Sequence, residues 1–268
     1  MTNQNDIVIV DAIRTAVGNF GGGLSTLTGA QLGAEVIKAL LVRTNIAATD
    51  VNELIMGQVL TAAAGQNPAR QAGILAGLAT ESTAMTINQV CGSGLRAVAE
   101  GMKSILNGDS TIVIAGGQES MSLAPHAMQL RTGVKMGDGA MVDTMIKDGL
   151  WEAFNNYHMG ITAENIAEKF QITREDQDKF AANSQAKAAK AQADGKFAGE
   201  ITAITIKNKK GDVVVDKDEF IRGESTFEVL SKLRPAFKPD GTVTAGNASG
   251  LNDGAAAVML MTRGEADK

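Results

Sequence analysis

Asn88-Gln89-Val90-Cys91-Gly92-Ser93-Gly94-Leu95-Arg96 is the stretch on which the reading of this chain turns. Ahead of it, residues 84–88 have the character of a strand; behind it, residues 93–106 repeat apolar side chains at helical spacing. Cys91, the only cysteine in 268 residues, therefore lies where a strand hands over to a helix N-terminus. Unpaired backbone N–H groups and the positive end of the helix dipole converge at such a point. That setting favours the thiolate, the nucleophilic form of sulfur. Gly92 and Gly94 lack a Cβ, so a bulky group could approach the backbone closely. Residue type alone points the other way, because a free cysteine commonly serves as a small buried hydrophobe. The surrounding motif outweighs it.

The first 118 residues alternate strand and helix. Ile7-Val8-Ile9-Val10 is a short β-branched run suited to a strand buried on both faces. Leu32, Val36, Leu40 and Leu41 follow at helical spacing, closing near Asn45. Residues 53–59 read as a second strand. Asn67-Pro68 supplies an N-cap with proline at the first helical position of a helix running to about Leu78. Residues 84–88 and 111–115 are the third and fourth strands. On the helix after Cys91, Arg96, Glu100 and Lys103 share one stripe, while Leu95, Val98, Met102, Ile105 and Leu106 cover much of the remainder. This predicts a largely buried helix with a narrow polar seam. Such alternation calls for a parallel sheet covered by helices.

Beyond Gly116-Gly117 the rhythm breaks into glycine-rich and methionine-rich loops. Two helices stand out, one over 163–170 and one over 173–193 whose Thr173 and Asp176 suit a capping box. Short strands are predicted at 204–206 and 213–215, and residues 255–261 restore a buried strand. We therefore divide the chain into an α/β domain of residues 1–118 and 244–268, interrupted by an insertion over 119–243. No internal repeat is visible.

Bulk properties remove several function classes. A net charge of −5 with only 4% aromatic residues argues against a nucleic-acid partner. One cysteine forms no internal disulfide. The polar start, Met1-Thr2-Asn3-Gln4-Asn5-Asp6, lacks the regions of a signal peptide. The longest apolar run, residues 255–261, is far short of the roughly 20 residues a membrane helix needs. A cytoplasmic protein with no membrane partner is expected. Phosphate-loop and Gly-x-Gly-x-x-Gly patterns are absent, so Gly21-Gly22-Gly23 reads as a flexible turn. His126 and His158, the only histidines, have no companion at ligand spacing, and no metal is expected. Ser249 lies outside any Gly-x-Ser-x-Gly elbow.

Four segments remain, in order: Asn88 to Gly94 around the thiol; Gly116-Gly117-Gln118-Glu119-Ser120-Met121-Ser122; Tyr157-His158-Met159-Gly160-Ile161-Thr162-Ala163-Glu164-Asn165; and Gly246-Asn247-Ala248-Ser249-Gly250-Leu251-Asn252-Asp253-Gly254-Ala255-Ala256. Together they closely resemble the N-terminal half of a thiolase, over essentially the whole chain. The resemblance implies a thiolase-fold half: a mostly parallel sheet flanked by helices, with an inserted α+β loop domain. It implies that Cys91 takes an acetyl group from acetyl-CoA as a thioester, and that a second acetyl-CoA condenses with it to acetoacetyl-CoA. The backbone N–H of Cys91 would help to hold the oxyanion. Coenzyme A thioesters are the substrates, with no separate cofactor. By the same resemblance Leu150, His158, Met159, Arg222, Phe237, Ala245 and Ser249 line the pantetheine tunnel or the nucleotide end. Arg222 lies in sequence near Lys207, Lys209, Lys210 and Lys217 and could face phosphates, although nearby acidic residues equally suit a solvated face. Val229 stands where family members can carry a serine near the nucleotide. His158 beside Met159 fits the short-chain biosynthetic branch better than a degradative thiolase; a non-catalytic acyl-CoA-binding domain is the alternative of a different class. Met121, Met128, Met136, Met141 and Met145 suit a loop that docks in a homotetramer, or adaptable packing. The family's base histidine, second cysteine and water-orienting asparagine lie in a second half with no counterpart in this sequence. The expectation is an N-terminal fragment that is catalytically silent alone.

Overall fold

In the computed structural model, which describes residues 3–209 and 211–268, the chain begins with β1 (Ile7–Arg14) and β2 (Gly18–Asn19). Then follow α1 (Gly29–Thr44), β3 (Glu53–Gly57), α2 (Pro68–Ala76), β4 (Thr83–Ile87), α3 (Ser93–Asn107) and β5 (Val113–Ser120). The middle of the chain holds the short pairs β6 (His126–Ala127) with β7 (Val142–Asp143) and β8 (Trp151–Glu152) with β9 (Tyr157–His158). After these come α4 (Met159–Phe170), α5 (Arg174–Ala193), the hairpin of β10 (Ile204–Ile206) and β11 (Val213–Val215), and α6 (Phe227–Leu230). β12 (Asn252–Thr262) and α7 (Arg263–Ala266) complete it. Contacts divide the chain into two units. The first contains the described residues up to Pro125, with Glu200–Lys217 and Asn252–Lys268; the second contains His126–Gly199 and Asp218–Leu251.

The helix limits follow from local chemistry. α1 opens with a capping box between Thr28 and Gln31 and closes on Asn45 in the left-handed region, φ 54°. Asn67 caps α2 and Pro68 occupies its first turn, as the sequence predicts; Gly77 at φ 91° ends it, just before the expected Leu78. Thr173 and Asp176 close the capping box of α5.

In the first unit the main sheet runs β1-β12-β5-β3-β4, with β2 pairing β12. β3 is parallel to β4 and β5, while β12 is antiparallel to both β1 and β5. β1, β3, β4 and β5 thus point one way, and the mostly parallel sheet expected from the sequence is present, with β12 reversed among them. Period-two alternation separates two cores. Leu54 and Met56 of β3, Ile114 of β5 and Met259 and Met261 of β12 meet Leu32, Val36, Ile37 and Leu40 of α1. Ile55, Val113, Ala115 and Leu260 face the other way, onto Ala97 and Ile105 of α3.

Two expectations need correction. β1 is not buried on both faces: it is the edge strand, and Ile9 and Val10 stand exposed beside a register shift between Ile9 and Asp11. Nor is α3 largely buried. Only Ser93, Ala97, Gly101 and Ile105 are covered, a stripe every four residues. Gly101 lies so close to the sheet that a Cβ there would meet Leu260 and Val113 at 2.9 Å. A helix seated through small residues leaves its large ones at the flanks, so Leu95 and Leu106 point outward, 79% and 62% exposed.

Candidate active site

β4 ends at Ile87 and the chain turns sharply before α3. Asn88 Oδ1 accepts the Val90 N–H at 2.9 Å. Ser93 Oγ accepts the Gln89 N–H at 2.8 Å and donates to the Val90 carbonyl at 2.6 Å. The N–H groups of Gly92 and Ser93 return to the carbonyls of Gln89 and Val90, each at 3.1 Å. This closed elbow holds Val90 at φ 49°, unusual for a β-branched residue. It presents Cys91 to solvent rather than burying it. Gly92, the N-cap of α3, offers no side-chain bond to the helix's first N–H groups. Among the described residues no hydrogen bond engages the Cys91 N–H.

Cys91 opens onto a cleft of about 400 Å³ whose walls are Val90, Ser93, Gly94 and residues 57–59, 117–119 and 252–256, with Arg14, Thr15 and Val17 also lining it. Small residues set these walls by close approach. A Cβ on Gly57 would meet Ser93 Cβ at 2.6 Å, and one on Gly116 would meet the Ala256 carbonyl oxygen at 2.0 Å. The cleft's charges are tied down. Arg14 Nε pairs with Glu200 at 2.8 Å. Asp253, 1% exposed, accepts the Ser122 N–H at 2.9 Å and the Ser122 hydroxyl at 2.5 Å. Glu119 accepts the N–H groups of Val59 and Leu60 at 2.8 and 3.2 Å. Burial pushes its carboxyl above the ordinary carboxylate range, against the downward pull of those two bonds. No histidine lines the cleft among the described residues. The arrangement can offer a nucleophile, a free N–H and room for a small acyl group.

The remaining sequence-predicted residues belong to the second unit. His158 accepts the Gly160 N–H on Nδ1 at 3.0 Å and stacks on Phe237, centroids 4.8 Å apart. In neutral His158 the proton is thereby placed on Nε2. Gly160 is required there, since a Cβ would meet the Phe237 ring at 2.3 Å. Met159 is adjacent and exposed. Trp151 pairs with His158 across β8 and β9, and the half-buried Leu150 directly precedes Trp151 in the chain. Arg222 is a separate group: its guanidinium lies 5.5 Å from the Phe220 ring, and that ring abuts Gly250 beside Ser249. Ala245 and Ser249 are exposed. Lys207 pairs with Asp212 at 2.6 Å, and Lys210 lies outside the described residues. Sequence reasoning passed over Glu119 and Asp253 as functional groups although both fall inside motif segments; two acidic residues in otherwise small, neutral segments were the available signal.

The family model for the thiolase N-terminal domain matches residues 7–264. The chain is 60% identical over 266 residues to an acetyl-CoA acetyltransferase of Rhizobium meliloti (strain 1021), covering 99% of this chain and 67% of that protein. It is 61% identical to one from Paracoccus denitrificans, covering 97% and 66%. The crystal structure of the Bacillus anthracis acetyl-CoA acetyltransferase superposes with a TM-score of 0.95 at 39% identity, over 98% of this chain and 67% of that one. The chain thus spans about two thirds of the length of these relatives.

Proposed function

The chain belongs to the thiolase family of acyltransferases, and from that premise we propose that Cys91 is the acyl acceptor of an acetyl-CoA acetyltransferase. The sulfur attacks the carbonyl carbon of acetyl-CoA, the bond from that carbon to the coenzyme A sulfur breaks, and coenzyme A leaves as a thiolate that takes up a proton. The acetyl group stays on Cys91 as a thioester. A second acetyl-CoA, deprotonated at its methyl carbon, attacks the thioester carbonyl; a C–C bond forms and Cys91 departs as thiolate, leaving acetoacetyl-CoA. Thiolysis is the reverse. The unengaged Cys91 N–H would meet the carbonyl oxygen as negative charge develops there.

The observation that carries this reading is the exposed Cys91 at the elbow, opening onto a cleft walled in part by small residues. We assign Leu150, His158, Met159, Arg222, Phe237, Ala245 and Ser249 to coenzyme A; the stacking of His158 on Phe237 supports a preformed surface. Among the described residues no histidine lines the cleft, so the base for methyl deprotonation is not assigned to any of its side chains. A cytoplasmic homotetramer is proposed for the complete enzyme. Met136 and Met141, 95% and 65% exposed, favour the methionine-rich segment as its contact. Among the described residues no helix is long and apolar enough to cross a membrane.

Alkylation by iodoacetamide near neutral pH tests the acceptor. In the complete enzyme Cys91 is expected to react, and saturating acetyl-CoA to suppress the reaction while leaving an acetyl adduct on Cys91 by mass spectrometry. The adduct should vanish in Cys91→Ala. Reaction without protection, or an adduct that survives in Cys91→Ala, would overturn the reading.

A further inference from the structure

The segment after β3 is fastened to the end of β5 by side chains from both of that strand's faces. From one face, Glu119 takes the Val59 N–H on Oε2 at 2.8 Å and the Leu60 N–H on Oε1 at 3.2 Å. From the other, Gln118 donates from Nε2 to Gln58 Oε1 at 2.9 Å, and Gln58 Nε2 donates to the Leu60 carbonyl at 3.0 Å. At its near end, Gly57 touches Ser93 and the Gly94 N–H, the first turn of the helix that follows Cys91. Gly57, Gln58 and Val59 line the same cleft as the sulfur. One wall of that cleft is thus held between the Cys91 helix and the Glu119 carboxyl.

A carboxyl is an expensive choice for a purely structural tie, because burial disfavours its charge. What it provides is two acceptor oxygens on one rigid plane, each engaged by a consecutive backbone N–H. The other ionisable side chains lining the cleft are Cys91 itself, Arg14, paired with Glu200, and Asp253, bound by Ser122. We propose that Glu119 is a positioning residue that fixes the Gln58–Val59 wall of the Cys91 cleft and so sets the size of acyl group that reaches the sulfur. This deepens the acyl-acceptor reading and rests on it, while its test needs no acyl transfer.

The test compares the rates at which Cys91 is alkylated by iodoacetamide and by the bulkier iodoacetanilide, which carry the same reactive carbon. The unsubstituted chain is expected to favour the small reagent by about tenfold, as a shaped apolar pocket would. In Glu119→Ala that ratio should fall towards the ratio measured with a free thiol. Glu119→Gln keeps one carbonyl acceptor and should restore part of the selectivity, a graded rescue that general loosening of the fold would not give. Amide exchange at Leu60 should accelerate in the same order. Equal selectivity in all three proteins overturns the proposal, as does a chain with no selectivity to begin with. If Glu119→Ala fails to fold, Glu119→Gln decides alone: an intermediate ratio supports the tie and an unchanged ratio overturns it. Loss of acetyl-CoA protection at Cys91 with size selectivity intact would instead sink the acyl-acceptor reading and leave the wall in place.

Discussion

Val90 bears the strain by which Cys91 is presented. A β-branched residue at φ 49° costs about 1–3 kcal/mol, and it is held there by Asn88 on its N–H and Ser93 on its carbonyl. Its side chain is half exposed, so little burial is lost by replacing it. Val90→Asn is therefore expected to raise the unfolding free energy by about 1 kcal/mol, since asparagine tolerates the left-handed region without glycine's added chain entropy. Urea denaturation checks this, and a loss of stability would refute the strain argument. The position of Cys91 between strand and helix was legible in the sequence because both flanking patterns are local. The positive φ of Val90 was not, because nothing in its side chain announces it. Nor was the role of Glu119, whose hydrogen-bond donors lie 60 and 59 residues away.

Elements with local punctuation were the readable ones. Asn67-Pro68 and the Thr173–Asp176 box began the helices that the sequence places there. The burial of β1 was misread because Ile7-Val8-Ile9-Val10 has the same composition at an edge as at the centre of a sheet; only the pairing order distinguishes them. The Asn247 segment was recognised as a motif, yet its local work is structural. Asn247 Nδ2 donates to Asp178 at 2.9 Å and to the Thr242 carbonyl at 3.0 Å, while Oδ1 accepts the Thr244 N–H at 2.7 Å. The same turn is tied to α4 by Glu164, which is buried. Glu164 receives the Thr242 N–H on its two oxygens at 2.8 and 2.9 Å, the Thr242 hydroxyl at 2.9 Å and the Val243 N–H at 2.8 Å. Burial pushes this carboxyl up, but the donors from Val243 and Thr242 and the charge of Lys238 outweigh it and hold the carboxyl below its ordinary range. A lowered folded-state value means stability that is present above the ordinary carboxylate range and lost as pH falls through the folded value. Glu164→Gln should thus cost about 1–3 kcal/mol at neutral pH, by leaving donors unpaired. The deficit should narrow below about pH 4. Urea midpoints of the two proteins at neutral and acid pH measure it, and a deficit independent of pH would show that the charge of Glu164 contributes nothing.

At the scale of the first unit, the two faces of the sheet are unequally served. One face is sealed by α1 and α2 over an extensive apolar cluster; the other has α3 over a small one. α3 reaches the sheet through Ser93, Ala97, Gly101 and Ile105, so it lies close but covers little. Beside it an open trough of about 420 Å³ runs between Leu95 and Val98 of α3 and Ile13, Ala115 and Val258 of the sheet. Leu95, Met102 and Leu106 continue this apolar surface outward. The sequence showed α3 to be apolar on most sides; it could not show that the helix meets the sheet through its small residues and leaves Leu95 and Leu106 exposed. Contiguous apolar surface of this kind drives association in water. A polypeptide of residues 1–268 is therefore expected to self-associate through α3. Leu95→Lys combined with Leu106→Lys should return it to a monomer, because neither side chain contributes to the small cluster beneath the helix. Light scattering across a concentration series reads the outcome. A monomer before substitution would mean that the trough and its flanking leucines are tolerated in water, and the argument from unequal coverage would fail with it.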